Sequence, residues 1–162
     1  MKKWLIPVFA LVLVAIIALL TQQFVLKGTD KEHYSIYLLA LDDDGRRGKK
    51  LSCGDSLVKV ERQTVSDIRL SDVYQDLLGL KDQQDEATGL TNALHQSSLV
   101  VDSATIQDGV ARVYLSGTLA AADECDQTRV RAQLEEPGRQ FGGIRSVEVY
   151  INNTPLSEAL KQ

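Results

Sequence analysis

Apolar residues fall along this chain in three rhythms. The first is unbroken. Trp4 to Leu20 holds no charged residue, and after Thr21, Gln22 and Gln23 the run resumes with Phe24, Val25 and Leu26. A helix from Trp4 to Leu26 would be roughly 34 Å long, enough to cross a hydrocarbon core of about 30 Å. Pro7 lies in its first turns, where a missing N–H does least harm. Lys2 and Lys3 form a basic flank, which predicts a cytoplasmic N-terminus and an exported remainder. The exit, Ala18 to Gln23, is a poor cleavage site, and no cysteine follows that could carry a lipid. Residues 1–27 therefore read as a cytoplasmic tip and an uncleaved transmembrane signal anchor that meets the bilayer through residues 4–26. A cleaved signal would equally leave the domain outside, on the extracytoplasmic side of a bacterial membrane. Residues 28–33 read as a short linker.

The second rhythm has period two. Tyr34 to Leu41 is apolar on both alternating faces, as a central strand covered on both sides would be. Leu57 to Val65 reads as a strand with Val58 and Val60 on one face. Ser98 to Gln107 and Val110 to Ser116 are two strands joined by Asp108-Gly109, a pair that supplies the positive φ angles of a type I′ hairpin. In the second of these, Ala111, Val113 and Leu115 face one way; Arg112, Tyr114 and Ser116 face the other. Ile144 to Asn152 reads as the last strand, with Val147, Val149 and Ile151 inward and Glu148, Tyr150 and Asn152 outward.

The third rhythm is helical. Leu70, Val73, Tyr74, Leu77 and Leu78 follow the spacing of one buried helix face, with Ser71 as the expected N-cap and Gly79 as the stop. Leu90 to Leu94 reads as a short helical turn. Asp126 is placed to cap a helix from Thr128 whose stripe is Val130, Leu134, Pro137 and Phe141. Proline inside a helix removes a hydrogen bond and costs on the order of 3 kcal/mol, so Pro137-Gly138 predicts a kink or an early end. Gly142-Gly143 closes the segment. The order is β-β-α-β-β-α-β. It implies an α+β domain over residues 34–156, a mixed sheet with helices packed on it, followed by a polar tail over 157–162.

Charge narrows the partners. Three of the 18 basic residues (Lys2, Lys3 and Lys27) and none of the 22 acidic ones fall within residues 1–27. The exported part is thus net acidic, which argues against nucleic acid and against docking on anionic headgroups. The two cysteines, Cys53 and Cys125, both lie in the exported part, where an oxidising compartment favours one disulfide over two separate half-buried thiols. Two cysteines without a nearby histidine make too few ligands for a metal.

Candidate chemistry is sparse. Asp42, Asp43 and Asp44 before Gly45 are contiguous, and position twelve counted from Asp42 is Cys53. That is the wrong spacing for an EF-hand loop, so a solvated loop balanced by Arg46, Arg47, Lys49 and Lys50 is expected. His33 and His95 are not near a serine or cysteine in a known nucleophile pattern. Asp55 and Ser56 suit a turn and a strand start, with ligand contact as the sharper reading. Tyr114 and Tyr150, with Arg112, lie on outward strand faces and mark a possible interaction surface together with Asp55. No catalytic residue and no cofactor motif is read.

Several stretches resemble the sporulation and spore germination domain family (GerMN): Cys53 to Val58, the strand-turn-strand Val101 to Gly117, the helix Val130 to Leu134 continuing to Arg139 and Phe141, and Ser146 to Asn152. Together they cover most of residues 34–156. The resemblance implies a non-enzymatic module outside the membrane, behind an anchor or lipid attachment; some members resemble ring-building domains of exported assemblies in spore formers. Pro137-Gly138 departs from the family's unbroken helix. The expected role is an envelope interaction or assembly module that binds itself or another envelope protein. The rival role is a cell-wall glycan or small-molecule binding module, suggested by the charged loop and the outward tyrosines.

Overall fold

The computed structural model describes residues 32–64, 67–85 and 88–161. The anchor and linker expected over residues 1–31 lie outside the described residues. Among the described residues, no helix is long and apolar enough to cross a membrane.

The strands divide into two sheets, not the single mixed sheet expected. β1 (Glu32–Ala40), β2 (Lys49–Lys50) and β3 (Ser56–Thr64) form an antiparallel sheet in the order β1-β3-β2. β4 (Ser98–Gln107), β5 (Val110–Thr118), β6 (Ser146–Ile151) and β7 (Thr154–Pro155) form the second, in the order β4-β5-β6-β7. Among the described strands only β5 and β6 run parallel, as the helical crossover between them allows. β1 is thus an edge strand and not a central one. Its apolar run has another cause: Ile36, Leu38, Leu39 and Ala40 are all buried, and the strand's free edge is capped where Leu39 exchanges both backbone hydrogen bonds with Thr91.

The Asp108-Gly109 hairpin forms as the sequence predicts, with φ of 51° and 73° at its two central residues. A second left-handed pair, Asn152 (φ 50°) and Asn153 (φ 65°), turns β6 into β7, so Asn152 is a turn residue and not an outward strand position. Its amide spans the strand next door, donating to the Gly117 carbonyl at 2.8 Å and accepting from the Gly117 N–H at 3.0 Å. Gly117 has φ of 120°, and a Cβ there would lie 1.8 Å from the Ser98 carbonyl oxygen, so this crossing admits only glycine.

Among the described residues three α-helices accompany the sheets: α1 (Leu70–Gly79), α2 (Glu124–Glu135) and α3 (Leu156–Ala159). The caps fall two or three residues earlier than expected. α1 begins after Arg69, whose N–H donates to the Asp72 carboxylate at 3.1 Å, while Ser71 lies inside the helix. α2 begins after Asp123, whose carboxylate accepts from the Asp126 N–H at 2.8 Å. Leu70, Val73, Tyr74 and Leu77 from α1, Val130 and Leu134 from α2, and Leu156 and Leu160 around α3 share one core with Ala111, Val113, Leu115, Val149 and Ile151 of the second sheet. Leu160, within the stretch expected as a polar tail, is thus part of the core, while Ser157, Glu158 and Lys161 are exposed. A smaller cluster of Leu38, Ala40 and Leu90 packs with Val58, Val60 and Leu80 on the first sheet.

Pro137 ends α2, and Glu136–Gln140 continue as a 3₁₀ turn. The break is mended from α1. The buried Tyr74 hydroxyl donates to the Leu134 carbonyl at 2.7 Å and accepts from the Gly138 N–H. It is inserted between the two groups that would bond each other in an unbroken helix. Burial pushes the Tyr74 phenol well above the ordinary tyrosine range.

Candidate functional site

Two regions contain the residues that the sequence singles out, and the structure treats them in opposite ways. The first joins the Leu41–Ser56 loop to the start of α2. Cys53, left-handed at φ 67°, is bonded to Cys125 in the first turn of α2, with Cα atoms 5.9 Å apart and a sequence separation of 72. Beside this disulfide Arg129 donates through Nε to Asp55 Oδ2 at 2.7 Å and through Nη1 to Asp126 Oδ1 at 2.9 Å. Asp55 also accepts from the Asp42 N–H at 3.1 Å. Asp55 is 1% exposed, so it is a structural ion-pair partner and not a surface residue. Its partner lies 74 positions away, beyond the reach of any local pattern.

The loop's three acids diverge. Asp42 is exposed, and Asp44 pairs with Lys50. Asp43 is nearly buried and accepts from the Ser56 hydroxyl at 2.6 Å and from the Arg47 N–H at 2.7 Å. These bonds hold its carboxyl below the usual carboxylate range. The loop is therefore solvated along most of its length, as expected, and knotted around the one buried acid, Asp43. Lys49 reaches Glu136 at 2.8 Å, and Arg47 returns to Asp43 at 3.1 Å, so the basic cluster is partly spent on the fold. Among the described residues no three His, Cys, Asp or Glu side chains converge on a point. His33 is exposed at the start of β1. His95 is half-buried, with Nδ1 2.8 Å from the Asn92 carbonyl.

The second region is the outer face of the β4-β5-β6 sheet. The helices pack on the other face, against Ala111, Val113, Leu115, Val149 and Ile151. Parallel register sets Tyr114 beside Tyr150 and Arg112 beside Glu148. The two rings stack with centroids 4.8 Å apart and planes 11° from parallel. Arg112 Nε lies 2.9 Å from Glu148 Oε2, the same oxygen that accepts from the Tyr150 hydroxyl at 3.3 Å. Partial burial and the Glu148 charge push the Tyr150 phenol up. With Arg112 and Glu148 beside the stacked rings, this face offers polar contacts around an aromatic pair. Pro155 is paired with Tyr150 on one side of the row, and Ser103 with Tyr114 on the other.

β4 is the sheet's edge. Over ten residues it carries one charge, Asp102, at a bulge between Val101 and Ser103, where Asp102 accepts from the Ser116 hydroxyl at 2.7 Å. Val100, 64% exposed, has the greatest exposure of the large apolar side chains among the described residues. Thus Tyr114, Tyr150 and Arg112 fall together on one open surface, and Asp55 does not.

A family model for sporulation and spore germination proteins, Germane, matches residues 35–157. The chain belongs to the Germane family. The fold agrees. The tandem GerMN domains of the sporulation protein GerM from Bacillus subtilis superpose with a TM-score of 0.55 at 14% sequence identity, over 79% of this chain and 41% of that one. The Germane domain described here thus spans less than half the length of that structure, and at this identity the likeness is one of fold. A comparison with curated proteins gives no match.

Proposed function

We propose that this Germane protein is a membrane-anchored, extracytoplasmic assembly module of the bacterial cell envelope that acts by contact and not by catalysis. On this reading residues 4–26 hold it in the cytoplasmic membrane with its N-terminus inside. The domain then joins a second copy or another envelope protein, in a sporulation- or germination-related setting. One observation carries the reading: a sheet face that, among the described residues, is left free of helices, bordered by an edge strand with a single charge and an exposed Val100. Backbone groups along such an edge are open to another strand, and an uncovered face bearing tyrosines and an arginine is enriched in the residue types that dominate interfaces.

The test is photo-cross-linking in cells. A cross-linking amino acid is placed in the full chain at Val100 or Tyr114 and, as a control, at the exposed Glu61 of β3. Discrete adducts from the first two positions and none from the third support the assembly reading. Adducts from no position, with the domain exported and folded, overturn it. Attachment is tested separately by whether the full chain resists carbonate extraction from membranes.

A further inference from the structure

Away from the open sheet face, a cleft of about 370 Å³ runs between the Thr91–Gln96 segment and the entry to α2, with Leu39 and Leu41 along one side. The assembly reading makes no use of it. Its volume is in the range of small-ligand sites.

One wall is fixed from behind by groups that are themselves buried. Asn92, 1% exposed, donates to the Leu80 carbonyl at 2.8 Å and accepts from the Leu94 N–H at 3.0 Å and from Gln133 Nε2 at 3.2 Å. Gln133, fully buried in α2, accepts from the Ala93 N–H at 2.8 Å. The opposite wall is tied down where the Ala120 N–H donates to the Ser97 hydroxyl at 3.0 Å and the Ala122 N–H to Asp126 at 3.3 Å. A cleft built this way does not have to be ordered when a ligand enters.

The lining states what kind of ligand fits. Its charged groups, Arg129 and Asp126, are bonded to each other, and Arg129 is held from behind by Asp55. Among the described lining residues no unpaired charge remains to grip an ion or a peptide terminus. Other polar groups of the lining are the carboxamides of Gln83 and Gln96, which both donate and accept, and the imidazole of His95. A carbonyl only accepts, so His95 directs an Nδ1 proton at Asn92 and keeps Nε2 for another partner. Ala93 and residues 120–122 make a wall of methyl groups, and Leu41, 43% exposed, stands at the cleft as an apolar lip. Carboxamides, an imidazole and a paired guanidinium suit hydroxyls, which donate and accept at once. A methyl-sized apolar wall beside carboxamides suits an acetamido group.

We infer that this cleft binds a neutral N-acetylated sugar unit, recognised through its hydroxyls and its acetamido group. The inference is independent of the assembly reading, because it uses other residues and needs no second protein. It moves the glycan-binding reading away from the charged loop, whose Asp43 and Asp44 are taken up by the fold, and away from the tyrosines.

The test is calorimetric titration of the full chain, in a detergent without a sugar headgroup, against the trisaccharide of N-acetylglucosamine. Two controls run alongside: the trisaccharide of glucose, and trialanine. Saturable heat with the acetylated sugar, weakened about tenfold or more by Gln83→Ala together with Gln96→Ala, is the expected result. Both glutamines are exposed, so the double variant should unfold at the wild-type temperature. A flat acetylated-sugar titration overturns the inference. Equal binding of both sugars removes the acetamido assignment, and binding of trialanine alone reassigns the cleft to peptides. An unchanged affinity in the double variant moves the sugar to another part of the surface.

Discussion

The disulfide-bearing seam and the open sheet face both contain charged pairs, and the pairs do different work. At the seam, Asp55 is buried and its charge is matched by Arg129, so the carboxylate is not available to a partner. On the sheet, Arg112 and Glu148 are each more than a third exposed, and their side chains can exchange a mutual contact for one to another molecule at little cost. Residue type does not separate these cases. An aspartate read as a surface contact proved to be structural, while a tyrosine pair read from the same sequence stayed at the surface. Burial separates them, and burial is set by residues far away in the chain.

The contrast can be broken most forcefully at the disulfide. Replacing Cys53 and Cys125 by serine frees a loop of 72 residues, and the chain-entropy model puts the loss at about 4 kcal/mol. Urea unfolding of the two proteins should show it, with cross-linking from Val100 unaltered where the variant is still folded. A loss of that cross-link under folding conditions would mean that seam and face are coupled. Next comes the ion pair. Arg129→Met leaves Asp55 buried and charged and should destabilise by about 3 kcal/mol, with most of it restored when Asp55→Asn is added. Failure of the second change to restore stability would show that Asp55 is not the reason Arg129 matters. Tyr74→Phe strands the Leu134 carbonyl and the Gly138 N–H and should cost about 2 kcal/mol by the same unfolding measurement.

Acid probes the seam more gently. The Asp43 carboxyl is depressed by the Ser56 hydroxyl and the Arg47 N–H, and the Asp44 carboxyl by Lys50. Groups depressed in the folded state stabilise it fully above their unfolded value, near 4, and lose that contribution as pH falls through the lower folded value. Stability should therefore decline below about pH 4, and Asp43→Asn should flatten that decline in thermal scans taken across the acid range. The smallest effect belongs to the open face. Tyr114→Ser should change stability by no more than about 1 kcal/mol, the scale of one cross-strand pair. A much larger loss would make the tyrosine stack part of the fold and weaken its claim as an interface.

Local rules were legible in the sequence, and long-range ones were not. The Asp108-Gly109 hairpin, the apolar stripe of α1 and the break at Pro137 each depend on residues within a turn or two of one another, and each formed as read. The division into two sheets depends on which strand Leu57–Thr64 pairs with, and alternation alone does not choose a partner. Asn152-Asn153 is a turn signal hidden at the end of an alternating strand; its left-handed pair shows only in the backbone. Asp123 outcompeted Asp126 as the cap because the helix starts earlier, at a glutamate that carries no apolar signal. Leu156 and Leu160 sit in polar surroundings along the chain and in apolar ones in space. For the candidate surface, Arg112, Tyr114 and Tyr150 were found by period-two alternation. The Gln83–Gln96–His95 cleft could not be, because its walls come from loops without periodicity.

The Tyr74 hydroxyl also links two positions as letters in an alphabet of relatives. Its bond to the Leu134 carbonyl spans sixty residues and exists because the helix fails at Pro137. In a relative whose helix runs on without proline, the 134 and 138 backbone groups would bond each other, and a buried phenol would have nothing to donate to. Phenylalanine would then serve better at position 74. The two positions should change together across the family: tyrosine with proline, phenylalanine with an unbroken helix.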